Sequence, residues 1–182
     1  MKGTMVAKKR VHWTIIVVTM AVIAVSSAGC TSNQASQSGV PNNFLLYTNK
    51  DAGVEINYPS DWQLTGGSAV GTVAKFQYET ILFQIQRSQL NKTGQTPQTF
   101  AQEFISAHKN FSVLENHSTS LGGLPAYVTV VNLKYVNETF TALTLFAVKG
   151  DYVYRIQSSG REAQYNEQNA TVQQMISSFK FK

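Results

Sequence analysis

The sequence is poor in the side chains that most often carry metal or redox chemistry: of 182 residues, one is cysteine and three are histidine. A single cysteine cannot form an internal disulfide, so the chain must be stabilised by its core. A zinc site needs three or four His, Cys or acidic ligands at defined spacing. His12 lies in the N-terminal segment, while His108 and His117 are accompanied by Glu103 and Glu115. We interpret both later histidines as edge or surface residues and expect no metal and no cofactor.

Catalytic motifs are missing as well. Serine and threonine are abundant, but no Gly-x-Ser-x-Gly elbow occurs. The glycine pairs 66–67 and 122–123 lack the Lys-Ser/Thr tail of a phosphate-binding loop. The ten acidic residues include no pair that the sequence singles out. We therefore predict no catalytic residues and a protein that is not an enzyme. An extracytoplasmic hydrolase built on Asp, Glu or Ser residues is the alternative.

Charge is also scarce, since Asp, Glu, Lys and Arg make up 14% of the chain. The formal net charge is +5, but four of the fifteen basic residues precede Cys30 and all ten acidic residues follow it. The region after Cys30 therefore carries 11 − 10 = +1. Because the basic excess belongs to the N-terminal segment, it is no argument for nucleic acid as a partner.

One long apolar run is present, at residues 14–25, and Lys8, Lys9 and Arg10 precede it. A basic start, an apolar core and small residues before a cut are typical of a secretory signal. The following Ser-Ala-Gly-Cys, ending at Cys30, resembles the lipobox of prokaryotic lipoproteins, in which the cysteine is acylated and becomes the mature N-terminus. We predict a signal peptide at 1–29, lipidation of Cys30 with a flexible tether at 30–43, and a folded domain at 44–182.

Two alternatives to lipidation stay open. Residues 11–29 are just long enough to span about 30 Å of hydrocarbon as an uncleaved transmembrane anchor. Free secretion after cleavage is the other alternative. Because the Lys/Arg cluster stays cytoplasmic, every alternative places the rest of the chain outside the membrane. The predicted location is therefore the cell membrane, facing outward, with the lipid anchor as the membrane contact.

Five Asn-x-Ser/Thr triplets follow Cys30, which is a modest excess over chance. They are consistent with N-glycosylation of an exported surface. A composition rich in Ser and Thr explains them equally well. The candidate glycosylation sites are Asn91, Asn110, Asn116, Asn137 and Asn169.

Alternation of apolar and polar side chains predicts most of the strands. Residues 44–49 and 54–58 are strand-like runs on either side of turn-forming residues, and together they predict a hairpin. The short turns later in the chain allow only antiparallel neighbours. Further strands are predicted at residues 75–78, 81–87, 112–118, 127–136, 140–148 and 152–157, with a turn at residues 121–126.

Two helices are predicted. Thr96 followed by Pro97 is typical of a helix start, and apolar residues at spacings of three and four continue to a predicted stop near Asn110. A second helix is predicted at 163–177, where apolar residues recur near period 3.6. The element order predicts an α+β fold in which an antiparallel sheet is sandwiched by helices, an α-β-α arrangement.

The stretch at 53–62, Gly-Val-Glu-Ile-Asn-Tyr-Pro-Ser-Asp-Trp, resembles the opening motif of PsbP-like domains. The stretches at 121–127, 152–156 and 175–179 are similar to later landmarks of that family, and the resemblance covers about residues 44–182. The resemblance implies the same α-β-α fold, and it implies that DcrB-like and LpqN-like lipoproteins are relatives. The resemblance implies no single activity, because the plant members are extrinsic subunits of photosystem II and most prokaryotic members have no assigned role.

From the residues and the resemblance together we predict a membrane-anchored extracytoplasmic lipoprotein that binds a partner or assembles a complex. An envelope protein complex and a small ligand are both candidate partners. Most aromatic residues fall at alternating strand positions, which is typical of a core. Tyr58, Trp62 and Tyr78 are left over from that pattern. They are the candidate ligand or partner surface.

The anchor prediction is tested by Cys30→Ser. Without the thiol no acyl chain can be attached, and each buried methylene of such a chain contributes about 0.8 kcal/mol to membrane binding. We expect the variant to appear in the soluble fraction or as unprocessed precursor, measured by fractionation and gel mobility. Unchanged membrane retention with unchanged size would refute lipidation.

Overall fold

The computed structural model describes residues 43–67 and 71–182. The predicted signal peptide, Cys30 and all but the last residue of the predicted tether lie outside these ranges. Neither described helix has the length and apolar character that crossing a bilayer requires. The elements are β1 (Phe44–Asn49), β2 (Val54–Pro59), β3 (Gln63–Gly66), β4 (Thr72–Tyr78), β5 (Ile81–Gln89), α1 (Pro97–Ser106), β6 (Phe111–Leu121), β7 (Leu124–Tyr135), β8 (Glu138–Lys149), β9 (Tyr152–Arg161), α2 (Glu162–Ser178) and β10 (Lys180–Phe181).

The strands form two antiparallel sheets. A small sheet has the order β1-β2-β10, and a large sheet has the order β3-β4-β5-β9-β8-β7-β6. Four hairpins of the large sheet close through two-residue turns, as their register shows. All four turns begin with a residue of positive φ, as two-residue hairpin loops commonly require: Glu79, Gly122, Val136 and Gly150.

Alternation along the strands gives the large sheet two different faces. In β8, Leu143, Leu145 and Ala147 point to one face, and Phe146 points to the other. We call the first the α2 face and the second the α1 face, after the helix that packs on each. Because both faces of β8 are buried along its second half, its sequence reads as a nearly continuous apolar run.

The main core lies on the α2 face, where α2 and the small sheet cover the large sheet. Tyr165, Val172 and Met175 are the buried residues of α2. After the helix, Phe179 is 2% exposed, and the backbone N–H of Lys182 donates to Gly53 O at 2.8 Å. The carboxyl end of the chain therefore fastens the small sheet to the core.

Helix α1 covers part of the α1 face. Its start is as predicted: Thr96 Oγ1 accepts from the Thr99 N–H at 3.2 Å, and Thr99 Oγ1 accepts from the Thr96 N–H at 2.9 Å. Phe100 stacks on Phe146 with ring centroids 6.3 Å apart. The predicted stop near Asn110 is wrong, because α1 ends at Ser106 and a turn connects it to β6.

The α+β antiparallel fold is confirmed, but the α-β-α description fits poorly because the molecule is mainly β. A three-stranded sheet shares the covering of the α2 face with α2, and α1 packs mainly on β7 and β8. The strand predictions are confirmed with shifted bounds. The predicted turn at 121–126 shrinks to Gly122–Gly123. Strand β3 was not predicted, because its residues show no alternate burial.

The contribution of Phe179 to stability is tested by Phe179→Ala. Deleting a buried phenylalanine removes apolar burial and leaves a cavity, so the free energy of unfolding should fall by about 3–5 kcal/mol. Leu46→Ala is the control, because Leu46 is 62% exposed and its loss should change stability by less than about 0.5 kcal/mol. Urea denaturation of both variants measures the difference, and equal effects would contradict this packing.

Candidate functional site

A groove runs between α2 and the edge strand β6 on the α2 face. Its inner part has a volume of about 160 Å³, and an adjoining part of about 510 Å³ extends to the β6–β7 turn. The two parts share Ser120 of β6 and Gln173 and Ile176 of α2. We call this surface the α2/β6 groove.

The groove exists because β6 is the last strand of the sheet and α2 lies closer to its middle. Helix α2 contacts β9, β8 and β5 in the large sheet, and β2 in the small one. Strand β6 extends beyond this cover, and Glu115, His117 and Thr119 line the groove. The three residues share one face because side chains alternate along a strand.

The floor of the groove is apolar. Val128 of β7 and Leu143 and Leu145 of β8 are 7%, 4% and 4% exposed and belong to the main core. Ile176 of α2 is half-buried at the opposite wall. An apolar floor with a few polar groups around it is the usual character of a ligand site.

Glu115 is the acidic side chain among the residues that line the groove. No ion pair to it occurs in residues 43–67 and 71–182, where the two ion pairs are Arg161–Glu138 and Lys182–Glu55. Burial raises the pKa of Tyr165 to about 12, and the carboxylate of Glu115 adds to this effect. Both influences favour the protonated phenol, so Tyr165 stays neutral beside a negative charge.

The histidines and acids considered from the sequence separate into two places. Glu115 and His117 line the α2/β6 groove. Glu103 belongs to α1, and His108 follows that helix with Nδ1 2.7 Å from Phe104 O and its ring stacked on Phe111. No group of three His, Cys, Asp or Glu able to hold a metal occurs among the described residues.

The candidate ligand or partner surface consists of Tyr58, Trp62 and Tyr78, and all three side chains contribute to packing. Trp62 is 3% exposed and stacks on Tyr78 with ring centroids 5.9 Å apart. Tyr58 lies against Phe76 at 4.6 Å. Tyr58 and Tyr78 are half-buried, and Trp62 lines a cavity of about 310 Å³ together with Pro59 and Asp61. A ligand or partner surface at these residues stays a prediction.

All five candidate glycosylation sites are exposed. Asn116 is in the middle of the edge strand β6, and Asn110 directly precedes that strand. Asn169 is on α2, where its Oδ1 accepts from Gln173 Nε2 at 3.4 Å. Exposure permits glycosylation at each site, and its occurrence stays a prediction.

The groove residues were missed at the sequence level. Ile176 was predicted only as part of the apolar stripe of a helix, and Gln173 carries no motif. Tyr165, which is buried and does not line the groove, was predicted as part of the same stripe. These residues meet Glu115 only through the topology that places β6 at the sheet edge beside α2. The one available signal was the pair Glu115 and His117, two residues apart and therefore on one face of a strand.

Comparison with known proteins identifies a family by sequence and similar structures by fold. The sequence profile of the PsbP family matches residues 42–181. No curated protein matches the chain by sequence.

Three solved structures share the fold at low sequence identity. The PsbP protein CyanoP of Synechocystis sp. PCC 6803 is 14% identical with a TM-score of 0.56, over 83% of this chain and 99% of CyanoP. LpqN of Mycobacterium tuberculosis, described as involved in cell envelope biogenesis, is 12% identical with a TM-score of 0.59, over 76% of this chain and 90% of LpqN. The Ran-binding protein Mog1p of Saccharomyces cerevisiae is 8% identical with a TM-score of 0.54, over 76% of this chain and 95% of Mog1p.

The environment of Tyr165 predicts a pH dependence. The unfolded phenol ionises near pH 10, whereas the folded one does so only near 12. The contribution of Tyr165 to stability is therefore complete below pH 10 and is lost as the pH rises through about 12. In Tyr165→Phe the free energy of unfolding should fall less between about pH 9 and about pH 11.5 than in the parent chain.

Urea denaturation at both pH values measures this difference. Tyr135→Phe is the control for loss of a hydroxyl, because Tyr135 is 66% exposed. If Tyr165→Phe and the parent lose the same stability with pH, the buried environment assigned to Tyr165 is wrong.

Proposed function

The chain belongs to the PsbP family, and on that premise we propose that it is a lipid-anchored binding protein that works outside the membrane without catalysing a reaction. The α2/β6 groove takes the ligand, which is an apolar or amphipathic molecule or segment. The proposal rests on one observation. The core residues Val128, Leu143 and Leu145 form an apolar floor in the groove beside the edge strand β6.

The proposed location rests on the N-terminal segment. A basic start, an apolar run and small residues before Cys30 are the features of an exported lipoprotein. The structural similarity to LpqN, a protein involved in cell envelope biogenesis, supports the same setting. An anchor at Cys30 would leave residues 31–43 between the membrane and the start of β1, enough chain for the groove to reach partners near the surface.

The size of the groove fits the proposed ligand class. The outer part alone, at about 510 Å³, is within the range of small-molecule sites, which is roughly 300–1,000 Å³. Its lining includes Gly122, Gly123 and Lys180 next to the half-buried Ile176. An elongated ligand could therefore place its apolar part on the floor and its polar end toward the Lys180 ammonium group or the Glu115 carboxylate.

The state of Tyr165 supports binding over catalysis. A phenol acts as a nucleophile or base when its pKa is lowered, and here burial and Glu115 raise it. Glu115 and His117 are close in sequence and line the same groove. No hydrogen bond joins their side chains to each other or to a third group within the described ranges, as an activated nucleophile would need.

A binding test uses Nile red as an apolar probe and the chain from residue 30 with Ser in place of Cys30. Ile176→Gln removes apolar surface from the groove wall, so the Kd for the probe should rise about fivefold to tenfold. Ile105→Gln is a matched control, because Ile105 is also a half-buried helix residue but lies on α1, away from the groove. Fluorescence titration measures both.

Thermal melting of the two variants by circular dichroism shows that the fold is retained. Equal Kd values for Ile176→Gln, Ile105→Gln and the parent would contradict binding in the groove. Turnover of ester or glycoside substrates that is lost in Glu115→Gln would favour the hydrolase alternative.

A further inference from the structure

Strand β6 has an open edge that the rest of the structure does not protect. It is 11 residues long, and it is the last strand of the large sheet over the described ranges. Its residues 112–120 are all exposed, including Val113 at 42% and Leu114 at 55%. At the other end of that sheet, β3 has only four residues and an irregular register, which are usual ways of blunting an edge.

The middle of β6 is complementary to itself. An antiparallel pair of two β6 strands related by a two-fold axis at Asn116 places Glu115 opposite His117 of the second copy, and His117 opposite Glu115. Directly opposed side chains lie on the same face about 4.5–5.5 Å apart, so each pair brings a carboxylate and an imidazole into contact. Neither side chain has a hydrogen bond or ion-pair partner in residues 43–67 and 71–182, so both are available.

We propose that the chain forms a two-fold dimer in which β6 pairs with β6 of a second copy about Asn116, extending the large sheet across both molecules. The paired stretch is Leu114–Ser118, about the length of an ordinary strand. Leu114 is the extra residue of the irregular register between Val113 and Glu115, so pairing ends at Leu114 on the amino-terminal side. The α2/β6 grooves of the two copies then adjoin across the axis, with Glu115 and His117 of both copies at their junction.

The side chains of Glu115 and His117 select this register over its two neighbours. An axis at His117 would oppose the two imidazoles and leave Glu115 opposite Thr119, and an axis at Glu115 would oppose the two carboxylates. An axis at Asn116 also places the exposed Leu114 against the second strand, which removes apolar surface from water. A glycan on Asn116 would occupy the axis, so that modification and the dimer exclude each other.

Disulfide trapping in the membrane tests the geometry with the full chain. Asn116→Cys places two thiols opposite each other at the axis, within the distance a disulfide allows. Ser118→Cys is the matched control, because it is exposed on the same face of the same strand but its two copies are offset by about 13 Å along the strands. After mild oxidation, non-reducing gels should show a dimer at least about fivefold more abundant for Asn116→Cys than for Ser118→Cys.

Exchanging Glu115 and His117 tests the strand pairing without introducing cysteines. Glu115→His alone creates His–His pairs and His117→Glu alone creates Glu–Glu pairs, so each variant should lose about tenfold in self-association, measured by sedimentation in detergent. The double variant restores opposite partners in every pair. Co-expression of the two single variants, with different tags, should likewise restore a mixed dimer, which misfolded chains could not form.

Three results overturn the proposal: equal trapping of the two cysteine variants, trapping of Ser118→Cys alone, or no recovery in the double variant and the mixture. A glycan found on Asn116 of the chain from its native membrane also overturns it. None of these measurements involves a groove ligand, so their failure is separate from a failure of Nile red binding at Ile176.

Discussion

The packing of α2 and the carboxyl-terminal segment between the two sheets holds the described structure together. Val172 and Met175 are fully buried there, and Ser178 Oγ accepts from the Asn57 N–H at 2.9 Å. Strand β10 then adds to the small sheet, and Lys182 Nζ lies 2.7 Å from Glu55 Oε2. The apolar burial dominates these contributions, since an exposed ion pair contributes about 0–1 kcal/mol. Residues 172–182 thus join the small sheet to the main core.

The same arrangement creates the groove and the open edge. A single helix cannot cover seven strands, because it is about 10–12 Å wide and neighbouring strands lie about 4.8 Å apart. Helix α2 and the small sheet cover the middle of the α2 face, so β6 and the adjacent parts of β7 and β8 extend past them. The apolar residues there are therefore core residues on one side and a groove floor on the other. Tyr165 is buried in the main core, and its pKa is raised by that burial and by the carboxylate of Glu115.

Local signals predicted much of the fold, and the failures have physical reasons. Alternation predicted β2, β5 and β8 because one or both of their faces are buried, and Thr96–Pro97 predicted the start of α1 because its capping is local. Strand β3 was missed because the backbone pairing with β4 leaves no pattern of burial. The end of α1 was misplaced because Phe111, part of the apparent apolar stripe, begins β6 instead and still contacts Phe104. The groove could not be predicted, because its residues come from β6, β7, β8 and α2 and meet only in the folded chain.

We propose that this PsbP domain binds its partners at the edge of β6 and in the α2/β6 groove. Hydrogen exchange tests it most directly, by comparing the full chain in its native membrane with the same chain purified and diluted. The amides of residues 114–121 should exchange more slowly in the membrane, with exchange in α1 and the small sheet unchanged. Equal exchange along β6 in both samples would contradict it.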